Sequence, residues 1–142
     1  MGAELDKLIT ELEEVRRESV KILSDMSDEQ LDLKNERGRS IRAFVQALAD
    51  HDLEHVQHLI RARRAVGSRR KEINRVLGEL MSARGELMGL IAGLEDENLD
   101  KDWEEGEWSI RNILEHMVQT ERMYIMDNVQ KIAGAAATGS PS

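Results

Sequence analysis

The chain has 142 residues, no cysteine, and 28 acidic against 20 basic residues, for a net charge of −8. The lack of cysteine excludes a thiolate zinc site and a cysteine nucleophile. The acidic balance argues against nucleic acid as a main partner, and no apolar run approaches the ~20 residues of a membrane span. We therefore expect one cytoplasmic domain over residues 1–132, followed by a disordered tail at residues 133–142.

The composition predicts an all-α fold, because proline occurs once and strong helix formers are abundant. Helix 1 is predicted over residues 3–24. Ser27 and Gln30 then have the spacing of a capping box, which predicts a short helical turn. Helix 2 begins after Ser40, whose hydroxyl can accept a hydrogen bond from a first-turn amide, and runs to about Val66.

The second half of the chain repeats this order of elements. Gly67 and Ser68 are interpreted as the end of helix 2 and the cap of helix 3, although one bent, continuous helix also fits the sequence. Helix 4 is predicted to open at Ser109, with Trp108 placed to pack on Ile113 as a hydrophobic staple.

The two halves also correspond in sequence. The apolar and acidic positions of the first helix and turn recur 68 residues later, and after a slip of one residue Ser-Ile-Arg at 40–42 recurs at 109–111. We interpret the chain as two related helical hairpins, hairpin 1 at residues 3–66 and hairpin 2 at residues 68–132. Together they predict a four-helix bundle.

Three of the four histidines lie in helix 2, at positions 51, 55 and 58. They continue an apolar seam that begins at Ile41 and advances in steps of three and four residues, as the inward face of a bundle helix does. Imidazoles on such a face need partners, and a divalent metal is a candidate. His116 lies at a similar depth in helix 4. His51, His55 and His116 therefore form a candidate three-nitrogen metal site with open positions for water or substrate.

Other roles for these residues stay open. His58 is a fourth ligand, an outer partner of a ligand, or an exposed residue at the bundle end. Glu54 and Glu121 are candidate proton acceptors, although each can also be a solvated surface carboxylate. His51 and His55 can instead be hydrogen-bonded interior residues that bind no metal.

With these residues in view, the chain resembles the DinB/YfiT-like superfamily of four-helix-bundle proteins. Glu-Trp-Ser-Ile-Arg at 107–111, followed by His116, resembles that family's first metal-ligand segment, and residues 48–55, with an H-x-x-x-H pair, resemble its second. The two hairpins stand in the reverse of the usual family order, as in a circular permutation. Arg39 stands in hairpin 1 where hairpin 2 has its tryptophan.

The resemblance implies a divalent nickel, zinc or iron ion held by His51, His55 and His116. It also implies a thiol-dependent S-transferase or isomerase that joins a low-molecular-weight thiol to an electrophilic small molecule, or a metal-dependent hydrolase. The alternative is a non-catalytic helical dimer or interaction module with polar seam histidines. We expect a homodimer. Each bundle is a simple up-down-up-down form or, if helices 2 and 3 are nearly continuous, is completed by a second chain in a domain-swapped dimer.

Overall fold

The computed structural model describes residues 2–68 and 71–139. Its α-helices are α1 (Ala3–Ser24), α2 (Ile41–Ala65), α3 (Glu72–Ile91), α4 (Ile110–Glu121) and α5 (Gln130–Ala137). A π-helical segment, Arg122–Val129, joins α4 to α5, and short 3-10 turns stand at Asp28–Asp32 and Asp96–Asn98. No helix within the described residues has the length and apolar content needed to cross a membrane. The predicted all-α class is confirmed, and the helical content is consistent with a bundle.

The chain divides into two compact units, Met1–Gly93 and Leu94–Ser142. The first unit holds α1 to α3, and an ion pair between Arg16 and Asp52 links α1 to α2 there. None of the described residues in either unit is buried. The helix 2 seam, predicted to face inward, is exposed from Phe44 to Ala62 in the part of the chain that the structure describes. Domain swapping and the bounds of the two hairpins stay predictions.

Serine side chains begin the second helix of each hairpin, as the sequence predicts. The Ser40 hydroxyl oxygen accepts a hydrogen bond from the Ala43 backbone N–H at 3.2 Å, at the start of α2. The Ser109 hydroxyl oxygen accepts one from the Asn112 backbone N–H, also at 3.2 Å, at the start of α4. Each cap satisfies a backbone donor that has no partner within its helix. Local chemistry thus sets where the histidine-bearing helices begin.

The end of α2 is a glycine cap, so α2 and α3 are not one continuous helix. Gly67 has φ of +71°, and the Ser68 N–H donates to a carbonyl oxygen five residues earlier at 3.0 Å. This hydrogen bond is that of a Schellman cap, which needs a left-handed residue such as glycine. The prediction of Ser68 as the cap of helix 3 is wrong. Lys71 precedes α3 instead, and its N–H donates to the Asn74 side-chain oxygen at 2.9 Å.

The C-terminal helix runs further than expected. The tail predicted to be disordered from residue 133 is helical as far as Ala137. Three consecutive alanines, which have the highest helix propensity, carry the helix on to this point. The last part of the predicted tail, residues 140–142, lies outside the described residues.

Corresponding positions of the two hairpins carry matching ion pairs. In the first, Arg42 Nε lies 3.2 Å from Asp32 Oδ1. In the second, Arg111 Nε lies 2.7 Å from Asp100 Oδ1, and its Nη2 lies 2.9 Å from Oδ2. The hydrogen bonds from Arg111 hold the pKa of the Asp100 carboxyl below its ordinary value. Each pair ties the turn before a histidine-bearing helix to the first turn of that helix.

Substitution Arg111→Ala is expected to raise the pKa of Asp100, because it removes the donors that favour the ionised carboxylate. Since the folded pKa is the lowered one, the pair stabilises the fold above the ordinary carboxyl range, and this stabilisation is lost as pH falls through the lowered pKa. Carboxyl carbon NMR across an acid titration measures the change. Arg42→Ala is the matched control, which leaves Asp100 unaltered. An unchanged Asp100 titration in Arg111→Ala would contradict the assignment.

Candidate functional site

The histidines of α2 form a column of three touching imidazoles. Ring centroids of His51 and His55 lie 4.4 Å apart at 76°, and those of His55 and His58 lie 5.5 Å apart at 24°. Spacings of four and three residues place all three on one face of the helix. All three side chains are exposed. The column is thus a local feature of α2, accessible to solvent in the single chain.

The upper pair of this column has the geometry of two ligands of one ion. His51 Nε2 lies 3.1 Å from His55 Nε2. Two nitrogens that each lie about 2.0–2.1 Å from one metal are separated by roughly 2.9–3.4 Å when they subtend between a right angle and a tetrahedral angle. The donor set therefore fits a divalent metal. The same separation suits an N–H···N hydrogen bond between the two imidazoles in the absence of a metal.

His58 stands behind His55 and does not face the ligand pair. Its Nδ1 lies 3.4 Å from His55 Nδ1. When His55 presents its Nε2 lone pair to a metal, its proton is on Nδ1 and is donated to His58. Such outer partners fix the tautomer and ring orientation of a ligand histidine. Of the roles left open for His58, this geometry favours the outer partner.

His116 lies in the second unit, with two close neighbours. Its ring lies edge-on to the Trp108 ring, with centroids 4.8 Å apart, and its Nε2 lies 3.4 Å from Thr120 Oγ1. The ring contact of Trp108 is therefore with this histidine. A surface hollow of about 270 Å³ adjoins them, lined by Trp108, Asn112, Glu115, His116 and Gln119. The hollow is open to solvent and adjoins the imidazole.

The predicted site residues are distributed over both units. His51, His55 and His58 lie in the first unit and His116 in the second. The candidate proton acceptors Glu54 and Glu121 are both exposed. Over residues 2–68 and 71–139, no three His, Asp or Glu side chains gather as a metal site. The three-histidine site therefore stays a prediction, of which the structure presents the pair on α2.

Sequence reasoning missed two contacts, one beside His116 and one at the start of α2. Thr120, the hydroxyl neighbour of His116, escaped a search for metal-ligand residue types. Its position in the chain could have revealed it, because Thr120 lies 69 residues after His51 and so corresponds to His51 when the two hairpins are compared. The Arg39 guanidinium carbon lies 4.2 Å from the Phe44 ring centroid. This cation–π contact lies at the start of α2, and its Arg39 stands where hairpin 2 has a tryptophan.

The π-helical segment Arg122–Val129 begins within two residues of Thr120. Within it, the Asn128 side-chain amide donates to the Met123 carbonyl oxygen at 2.6 Å. Wide turns of this kind occur often at functional sites, because they redirect side chains within a helix. The segment therefore marks the region around His116 as a candidate functional region.

Comparison with known protein families agrees with the sequence resemblance. A family model described as the DinB family matches residues 68–136. This half of the chain is DinB-like. The match spans just under half of the sequence, so the similarity to the DinB family is shown for this segment. No curated protein and no solved structure matches the chain.

The DinB segment contains one part of the candidate site. Trp108, His116 and Thr120 lie inside the matched residues, whereas the histidine column of α2 lies before them. The family match thus covers the hairpin that resembles the first DinB ligand segment. The relation of α2 to the DinB family rests on the H-x-x-x-H pair and on the correspondence between hairpins.

Proposed function

We propose that this protein is a small metal-dependent enzyme of the DinB/YfiT-like type, with His51, His55 and His116 as ligands of a divalent nickel, zinc or iron ion. The observation that carries the proposal is the 3.1 Å separation of His51 Nε2 and His55 Nε2, which suits two ligands of one ion. The His55–His58 contact supports it, because it orients a ligand imidazole. The DinB match over the segment of His116 supports the third ligand.

The proposed reaction joins a low-molecular-weight thiol to an electrophilic small molecule, or isomerises a thiol adduct; metal-dependent hydrolysis is the related option. A divalent ion lowers the pKa of a thiol or a water and so supplies a nucleophile at neutral pH. The chain holds the ion through imidazoles and leaves their exposed side open to substrate. The hollow beside His116 receives the small molecule, and Glu54 or Glu121 accepts the proton.

The second candidate is a non-catalytic helical dimer. The observation in its favour is the exposure of every described apolar stripe, because uncovered apolar surface is typical of an interaction module. In this reading the imidazole column tunes an interface, or holds a metal without turnover. Enzyme and module differ in turnover, so the first experiment measures metal and then activity.

The first measurement is elemental analysis of untagged protein purified without chelators and after reconstitution with nickel, zinc or ferrous iron. We expect about one equivalent of metal per chain, because each chain carries one three-histidine ligand set. The metal-loaded protein is then mixed with small thiols and electrophiles, and loss of free thiol is followed. His116→Ala with unchanged helicity is the control and is expected to show no loss above background. Absence of metal after reconstitution would sink the enzyme proposal; metal without thiol consumption or hydrolysis would favour the module.

A further inference from the structure

The geometry of the His51–His55 pair depends on one helix alone. Side chains four residues apart on an α-helix have Cβ atoms roughly 5–6 Å apart, so α2 itself brings the two rings together. Their Nε2 atoms lie 3.1 Å apart, and both residues belong to the unit Met1–Gly93. The pair is therefore complete within the first unit.

The pair lies in the middle of α2, where fraying has the least effect. His51 stands ten residues after the first residue of the helix, position 41, and His55 stands ten residues before the last, position 65. Helices fray from their ends, and α2 is capped at both ends, by the Ser40 hydroxyl and by the left-handed Gly67. The two imidazoles are therefore held in place before a metal ion arrives, so binding does not have to order them first.

Three carboxylates flank the pair on α2. Asp50, Asp52 and Glu54 each lie next in sequence to one of the two histidines, and all three are exposed. Negative charge beside neutral imidazoles raises the local concentration of cations. None of these carboxylates completes a group of three ligands with the pair in the described part of the chain. They therefore favour the approach of a cation and leave its other coordination positions to water.

We infer that the His51–His55 pair is the entry point for the metal. The pair captures a divalent ion by itself, with water in the other coordination positions, and His116 joins as the last ligand. The joining of His116 rests on the proposed function, whereas capture by the pair rests only on the geometry of α2. Because the pair exists only while α2 is helical, the captured ion also stabilises this helix.

Nickel binding to untagged, full-length His116→Ala tests capture by the pair. Competition against a chromogenic chelator should show about one nickel ion per chain, bound more weakly than by the wild type, because both imidazoles of the pair remain. Backbone amides of α2 that exchange through opening of the helix should exchange about 100-fold more slowly when free nickel is at 100 times its dissociation constant. His116→Gln repeats the test if the alanine variant folds poorly.

The other histidines of α2 supply matched controls in the His116→Ala background. Adding His51→Ala or His55→Ala breaks the pair, and each double variant should bind no nickel and show no slower exchange. Adding His58→Ala removes an exposed imidazole from the same column but keeps the pair. This double variant should still bind nickel, with an affinity about 10- to 100-fold lower than that of His116→Ala alone.

Stopped-flow mixing with nickel tests the order of loading. Wild type and His116→Ala should capture nickel at the same rate and differ in its release, which is faster in the variant, because His116 joins after capture. A slower capture by His116→Ala would overturn this order.

The remaining outcomes separate this inference from the proposed function. If the wild type binds nickel and His116→Ala does not, or if the variants with a broken pair bind it as well as His116→Ala, capture by the pair is overturned and the proposed function stands. Equal affinities of wild type and His116→Ala would confirm capture by the pair and remove His116 from the proposed site. Wild-type protein that binds no nickel, zinc or ferrous iron would overturn both.

Discussion

Replacing His55 by alanine is expected to lower the affinity for nickel or zinc by more than about 100-fold, whereas His58→Ala lowers it by about 10- to 100-fold. The difference follows from the two ring nitrogens of His55. Its Nε2 faces His51 Nε2 at 3.1 Å, and its Nδ1 faces His58 Nδ1 at 3.4 Å. In the proposed site, the first substitution removes a ligand, whereas the second removes only the group that orients this ligand.

Competition against a chromogenic chelator at constant pH measures both affinities. Circular dichroism of the metal-free variants shows whether α2 is intact, which keeps loss of a ligand apart from loss of the helix. Equal losses in the two variants would make His58 a direct ligand. Unchanged affinity in His55→Ala would remove the α2 pair from the metal site altogether.

If another helix covers the apolar stripe of α1, Leu12→Asp is expected to lower the free energy of unfolding by about 3–5 kcal/mol, because a carboxylate would then be buried without a partner. Leu12 is 68% exposed in the single chain. If no helix covers it, this change is an ordinary surface substitution, worth about 0.5 kcal/mol or less. The two readings therefore differ by several kcal/mol.

Thr10→Asp is the matched control for Leu12→Asp. It places the same charge on α1, on the side of the helix away from the apolar stripe. Its expected cost is about 1 kcal/mol or less, from repulsion by Asp6 and Glu14 one turn away. Urea unfolding at two protein concentrations, together with native mass, measures both variants. Similar small effects in the two variants would contradict a covered stripe on α1.

Most helix boundaries could be predicted because their causes are local. The serine caps of α2 and α4 and the glycine cap at Gly67 use hydrogen bonds within one or two turns of chain. The sequence predicts the start of α3 at Ser68, because serine often caps helices. In the structure α3 starts after Lys71, whose backbone N–H donates to the Asn74 side-chain oxygen. Periodicity also showed which face of each helix is apolar. It could not show what covers that face, since burial depends on a partner and not on the spacing of residues.

In the candidate site, too, only the features with local causes could be predicted from the sequence. The column on α2 could be predicted, because spacings of four and three residues bring side chains together on any helix. The orientation of the His58 ring, whose Nδ1 faces Nδ1 of His55, could not be predicted, since it depends on side-chain rotamers. Thr120 was missed because a hydroxyl beside His116 has no metal-ligand spacing to reveal it. The convergence of His116 with the pair stays a prediction, because it depends on long-range assembly.

The π-helical segment Arg122–Val129 alters how side chains wind around the last helix. Residues four apart drift about 40° around an α-helix at each step. A π-helix, whose hydrogen bonds reach one residue further, turns less per residue. Side chains beyond Glu121 therefore point in directions different from those that an uninterrupted α-helix continuing α4 would give them.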